Sequence, residues 1–295
     1  MLLAALVFNG LVLFGRLNSR DDAFVEHEFR SWAAMATFSL AVWFALLGRG
    51  VAAARELPAS WRRGQRWWLA PLASYTLLML AASTTLGGIS RGDSFDVPIR
   101  HFPALIGVLT ALGAGAAAPW VLSVWLAQER MRERTEQETS LDVPPNPPLI
   151  AAAVTDILAV WRVIESSGLA LSLIVSTSVF NTGALRLALI GSGAVEPADF
   201  PPEFVLGYGA FFTAILAAVL LPFVLTWRAQ AFALIKRALP APDSGLLDED
   251  LLAARARMET QLHVSARFLR NPMATLSVLS PFVTALITAL VPNSA

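Results

Sequence analysis

No cysteine occurs in the 295 residues. Disulfides, thiolate nucleophiles, cysteine zinc sites and cysteine-ligated iron–sulfur clusters are thereby excluded. Histidine is nearly as scarce, with His27, His101 and His263 alone. A b-type haem in a bilayer draws histidine ligands from the helices around it, and no long apolar run here contains one. His27 lies in Val25-Glu-His-Glu-Phe29, which is not the HExxH helix of a zinc protease. Neither a Walker A loop nor a GxSxG elbow is present. Charge is sparse as well. Ionisable Asp, Glu, Lys and Arg make up 15% of the chain, against about a quarter in a soluble domain. The 22 basic and 22 acidic residues cancel, so there is no basic excess of the kind nucleic-acid binding demands. Lys236 is the single lysine; the arginine bias points to GC-rich coding and a bacterial source.

What fills the chain instead is apolar residues, 56% of the total. They form runs such as Trp32–Leu47, Trp67–Leu86, Phe102–Leu126 and Phe204–Thr226. A hydrocarbon layer about 30 Å thick is crossed by ~20 apolar helical residues. The expected fold is therefore all-α: a polytopic integral membrane helix bundle with the lipid bilayer as its main solvent. Seven transmembrane helices are expected, at roughly 2–15, 32–49, 67–88, 102–127, 167–190, 204–227 and 271–292. The first run lacks a basic leader and a small-residue cleavage site, so it reads as a retained span rather than a signal peptide. It is short, and a partly inserted helix is the alternative.

Basic residues set the orientation. Sixteen lie in 49–66, 128–166 and 228–270, and five in 16–31, 89–101 and 191–203. Lys and Arg excess marks the cytoplasmic side. The expectation is a multi-pass protein of the bacterial inner membrane, with a cytoplasmic N-terminus and an extracytoplasmic C-terminus. Trp67, Trp68, Trp120, Trp125 and Trp227 sit near span ends and read as interface anchors. The chain then divides into 1–127 (helices one to four), 128–166 (a cytoplasmic connector and amphipathic helix), 167–227 (helices five and six), 228–270 (a cytoplasmic linker and amphipathic helix) and 271–295 (the last helix).

The cytoplasmic segments carry helical signals of their own. Glu129–Glu138 alternates in charge and is expected to extend the fourth span into water. Pro144-Pro-Asn-Pro-Pro148 breaks it. Leu149–Ser166 is helical in pattern, either interfacial or continuous with the fifth span. Leu247, Leu251, Ala254, Met258, Leu262, Ser265 and Leu269 form one apolar face. That face predicts an amphipathic helix over about 247–269, with Asp248, Glu249 and Asp250 at its positive end.

Intramembrane chemistry is thin. Acidic residues inside spans mark proton or cation relays, and Asp156 enters one only if the fifth helix starts early. Arg186 lies a turn from the outer end of its span and is expected to snorkel to the surface, with anion attraction as the alternative. Asp21, Asp22, His27 and Glu28 on one outer loop and Asp93, Asp96 and His101 on another form a conceivable zinc or manganese site. Their spacing matches no standard set, and a solvated acidic loop is the simpler reading.

The most patterned polar feature is a hydroxyl stripe. Ser277, Ser280, Thr284 and Thr288 recur every three or four residues along the last span, so they share one helix face. Ser172, Ser176 and Thr182, with Asn181 nearby, repeat the pattern more loosely in the fifth. Such faces either seat helix against helix or line a water-filled path around an oligomer axis. Pro119, Pro222 and Pro281 fall inside spans four, six and seven and are candidate kinks. Ala111, Gly113, Gly115 and Ala117 give small-xxx-small spacing, which predicts a close helix crossing. The functional expectation is a non-enzymatic membrane protein without cofactor or bound metal. It is expected to be an oligomeric channel-like or pore-forming component with cytoplasmic regulatory helices. The alternatives are a non-conducting scaffold or subunit of a larger membrane complex, and a metal-dependent membrane enzyme with its site in the outer loops.

Overall fold

A computed structural model describes the backbone of residues 2–61, 68–89, 97–140, 147–240, 248–264 and 272–290. It describes their side chains except at 78, 81–89, 137–140, 272–278 and 289–290. Among the described residues the chain is helical throughout, without a strand; the one β-bridge joins Ser19 to Ile99. The helices are α1 (Leu2–Asn18), α2 (Asp22–Phe24), α3 (Arg30–Glu56), α4 (Leu69–Ile89), α5 (Phe102–Ser140), α6 (Pro147–Gly191), α7 (Pro202–Ala238), α8 (Glu249–Gln261) and α9 (Pro272–Leu290). Among the described residues, four helical stretches are long and apolar enough to cross a membrane: Asp22–Glu56, Phe102–Glu136, Pro147–Gly191 and Pro202–Ala238. α1, with 17 residues, and α9, with 19, are shorter apolar helices.

Local sequence explains the helix ends. Asp21 caps α2 by accepting the Ala23 N–H at 3.0 Å. α3 stops at Leu57, whose extended ψ of 143° is what the following Pro58 imposes. Pro147 and Pro148 open α6, and Pro202 opens α7, where a missing N–H does no harm. The prolines at 119, 222 and 281 are instead inside α5, α7 and α9, and each helix continues through.

Two ends of the bundle can be told apart. At one, the rim, Arg20 N–H donates to Pro98 O and Arg100 N–H to Asn18 O, both at 2.8 Å. That pair ties the C-terminus of α1 to the entry of α5. A π-helical turn, Val25–Phe29, joins α2 to α3. Its extra residue lets Phe24, Val25 and Phe29 all face inward. The rings of Phe24, Phe29, Trp32 and Phe102 follow one another at centroid spacings of 5.2–6.1 Å. The segment 16–31, expected as a loop, is thus largely helical, because its aromatic residues are core rather than surface.

Helix registers are set by glycine dents and tryptophan donors. α3 and α5 run parallel: Trp43 lies on Gly113, and Gly50 faces Pro119 and Trp120. α6 runs antiparallel to α3: Glu28, just before α3, lies beside Gly191, while further along the Trp43 indole N–H donates to Thr177 Oγ1 at 2.8 Å and Ser39 Oγ to Thr177 O at 3.2 Å. These registers bring Arg55 of α3 to about the level of Glu165 of α6. A second hydrophobic core begins there, distinct from the one under the rim. It joins Leu57 and Trp61 to Val124 and Met131 of α5, Ile157–Ile164 of α6, Phe223–Ile235 of α7, and Leu262 and Val264 after α8.

The chain divisions expected at 127/128, 166/167 and 227/228 all fall inside unbroken helices. Composition changes where a helix leaves the apolar zone, not where it ends. At 1.5 Å per residue α6 is roughly 68 Å long, about twice the ~30 Å of hydrocarbon. Residues 149–166 belong to the same unbroken helix as the apolar run at 167–190. The expected helix over 247–269 is shorter, Glu249–Gln261 followed by a turn; Leu247, Ser265 and Leu269 lie outside the described residues.

Candidate functional site

α9 lies in the groove between α6 and α7, and this seam holds the hydroxyl stripe. Ser280 and Ser176 share a hydrogen bond at 2.9 Å. Thr284 and Thr288 are buried, and Thr288 Oγ1 donates back to Thr284 O at 2.6 Å, the back-bond a hydroxyl makes within a helix. Ser172 is buried on the same side of α6, while Thr182 Oγ1 donates to its own helix at Ser178 O. The side chain of Ser277 lies outside the described residues. The apolar face of α9, with Leu279, Phe282, Val283, Leu286 and Ile287, is exposed and turned away from the seam.

Two glycines make that approach possible. A Cβ at Gly183 would run into the Thr288 side chain. One at Gly209 would meet Ala285 Cβ, and the Pro281 carbonyl oxygen at 2.9 Å. The small-residue spacing in α5 is only partly used. Gly113 receives the Trp43 ring, but nothing lies within 4 Å of a Cβ at Gly115. A narrow apolar crevice of about 120 Å³, walled by Leu40, Phe44 and Leu47 of α3, runs over Ala111 and Gly115.

Several buried polar atoms have no hydrogen-bond partner among the described residues: Ser167 Oγ, Asn181 Oδ1 and Thr213 Oγ1 in α6 and α7, and the indole nitrogens of Trp32 and Trp61. Unpaired groups in a dry interior are costly. Sequence reasoning missed Ser167 and Thr213 because no period singles them out.

The expectation for Arg186 is corrected. It is 4% exposed, and its Nε donates to Phe200 O at 2.6 Å. The loop between α6 and α7 thus supplies a carbonyl to the buried guanidinium. Trp120 and Trp227 are likewise not interface anchors. Both are buried, and their N–H groups donate to Leu46 O and Ile157 O, each at 3.1 Å. A helix backbone beside them supplies the acceptor that headgroups would otherwise supply. Trp68 and Trp125, each 41% exposed, remain free to sit at a surface. Trp67 lies outside the described residues.

Among the described residues the acids expected to form a metal site do not converge. Asp21 is a helix cap, Glu26 pairs with Arg16 at 3.6 Å, and Glu28 lies against Gly191. His27 Nδ1 is 3.4 Å from Ala23 O, and His101 occupies a left-handed turn with φ 60°. Asp93 and Asp96 lie outside the described residues. Among those described, no three His, Asp or Glu side chains come together as a metal-binding group.

Beyond the level of Arg55 and Glu165, polar side chains bind α5, α6 and α7 into one extension. Arg130 pairs with Asp156 at 2.5 Å, and Arg134 donates to Ala153 O at 2.9 Å. Gln230 Nε2 donates to Met131 O and Thr135 Oγ1 at 2.7 and 2.6 Å. Trp161 lies against Trp227 with centroids 4.4 Å apart and the rings tilted by 30°. Comparison with known protein families, curated proteins and solved structures finds no match to the chain, so its function is read from this geometry.

Proposed function

We propose that the chain is a non-catalytic, multi-pass membrane subunit that couples or anchors a partner through its helical extension. The observation that carries this reading is continuity. α5, α6 and α7 pass without a break from the apolar zone into a bundle with its own core. Rigid helices of that kind transmit a displacement from one end to the other, because packed interfaces shift between discrete arrangements rather than deform smoothly. The hydroxyl stripe supports the same reading, since its described members face another helix of the same chain. In this reading α1, α4 and α9 also cross the bilayer, giving seven spans in the bacterial inner membrane. The extension is cytoplasmic, as is the N-terminus, and the C-terminus is extracytoplasmic. The basic bias supports this placement.

Exposed apolar side chains on the extension, Leu149 at 60% and Phe232 at 39%, are where a partner would seat. Purification of the tagged chain in native lipid discs is expected to recover a stoichiometric partner. Leu149→Asp with Phe232→Asp is expected to release it without moving the unfolding midpoint. Repeated recovery of the parent chain alone would overturn the reading. Orientation is tested separately, since a chain without cysteine can be mapped by single substitutions. An impermeant maleimide is expected to label Asp22→Cys in intact cells and Glu249→Cys only after lysis; the reverse pattern would invert the topology.

A second reading, an oligomeric channel-like component, is favoured by the unpartnered buried atoms Ser167 Oγ, Asn181 Oδ1 and Thr213 Oγ1. Water admitted along a path through the bundle would satisfy them. It expects ion flux through reconstituted liposomes, abolished by Asn181→Leu with Thr213→Val. Liposomes that stay tight would reject it.

A further inference from the structure

No residue of α8 is buried along its 13 residues; the helix is held at two places instead. Arg255 Nε and Nη2 both donate to the Leu239 carbonyl, the C-cap of α7, at 3.0 and 2.6 Å. Just past the helix, Leu262 and Val264 are fully buried in the second core. Between them His263 is left-handed, with φ 58°. Its ring stacks on Trp161 at 6.1 Å and 20°, and Trp161 in turn lies against Trp227.

The terminal turn is a Schellman motif. Val264 N–H donates to Glu259 O and His263 N–H to Thr260 O. Glycine is the usual residue at the left-handed position, because a Cβ there is crowded by the next carbonyl. A histidine in its place holds the turn closed only while the ring and the two flanking apolar side chains stay docked. A helix of about 13 residues is also marginal alone in water. Loss of the dock therefore unwinds α8 itself, and the element has two states rather than a continuum.

We infer that α8 is a releasable strap. Latched, its terminal turn covers the Trp161–Trp227 pair. Released, it uncovers that apolar surface on helices that run unbroken into the bilayer. The strap adds regulation to the extension assigned above. Its consequence for a partner rests on that reading, but the strap itself does not.

Hydrogen exchange on the full chain in lipid discs tests the strap. Amides of 250–261 are expected to exchange at least ~100-fold faster than those of 157–164 and 227–235, because the former open locally. Arg255→Ala is expected to speed α8 a further ~tenfold, the usual effect of losing a charged donor, with α6 and α7 unchanged. Leu262→Ser is expected to raise acrylamide quenching of indole fluorescence. Equal protection of α8 and 157–164 in the parent chain would overturn the inference. So would an Arg255→Ala variant in which all three segments accelerate together. Fast exchange in α8 from a chain that never yields a partner would leave the strap standing and remove the coupling function.

Discussion

Gly183→Ala tests the seam that holds α9. The new Cβ would overlap the methyl group of Thr288, and the Thr288 hydroxyl is committed to Thr284 O at 2.6 Å. Rotating Thr288 to make room breaks that bond, and otherwise α9 must move away from α6. Overpacking of this kind costs about 1–3 kcal/mol. Thr288→Ser keeps the hydroxyl and deletes the methyl, at about 0.8 kcal/mol for one buried carbon. The double variant Gly183→Ala with Thr288→Ser is then expected to recover most of the loss, with a coupling of about 1–2 kcal/mol in a double-mutant cycle. The same design at the other dent should behave differently. Ala285→Gly removes one obstacle to a Cβ at Gly209, but the Pro281 carbonyl oxygen remains at 2.9 Å. Backbone cannot rotate away, so rescue there is expected to be partial. Unfolding in mixed micelles, followed by helical circular dichroism, measures both cycles. A Gly183→Ala variant within about 0.5 kcal/mol of the parent, the range of an ordinary surface substitution, would show that α9 does not lie against α6 as described.

Three further outcomes are expected. Thr177→Val leaves the buried Trp43 N–H without its 2.8 Å acceptor and should lower stability by about 1–3 kcal/mol; Thr177→Ser should restore it, and equal losses in the two variants would reject the hydrogen bond as the cause. The cycle of Ser176→Ala with Ser280→Ala should show a coupling of about 0.6 kcal/mol, typical of hydroxyl pairs in lipid, and additivity would mean that the two hydroxyls do not meet. Arg130→Ala separates a pair whose side chains are 18% and 19% exposed, so its cost should be about 1 kcal/mol and shrink in high salt; a salt-independent loss would assign the effect to packing instead.

Much of the helical content was legible because hydrocarbon imposes a simple rule. An apolar run of spanning length must satisfy its backbone internally, and the runs at 32–49, 102–127 and 204–227 all fall inside observed helices. The alternating charges after Glu129 were also readable, since an i,i+4 pair such as Arg132 with Glu136 supports a helix in water. The stripe on α9 was visible as a period, but its direction was not. A hydroxyl every three or four residues looks the same whether it faces water or a neighbour, and only the Ser176–Ser280 contact assigns the face. Trp120 and Trp227 were misplaced for a related reason. An indole needs one acceptor, and the sequence does not say whether a headgroup or a carbonyl of another helix provides it.

Composition alone determined what this protein excludes and what surrounds most of it: no thiol chemistry, little intramembrane charge, and apolar helices whose solvent is lipid. Those properties depend on residue type and local period, which the order of letters contains. Tertiary structure decided which parts of the long helices gather around a second core, which glycines admit α9, and that Arg186 is tied beneath a loop. Those depend on which residues meet across long separations, such as the 138 positions between Ser39 and Thr177, and no local pattern encodes such meetings.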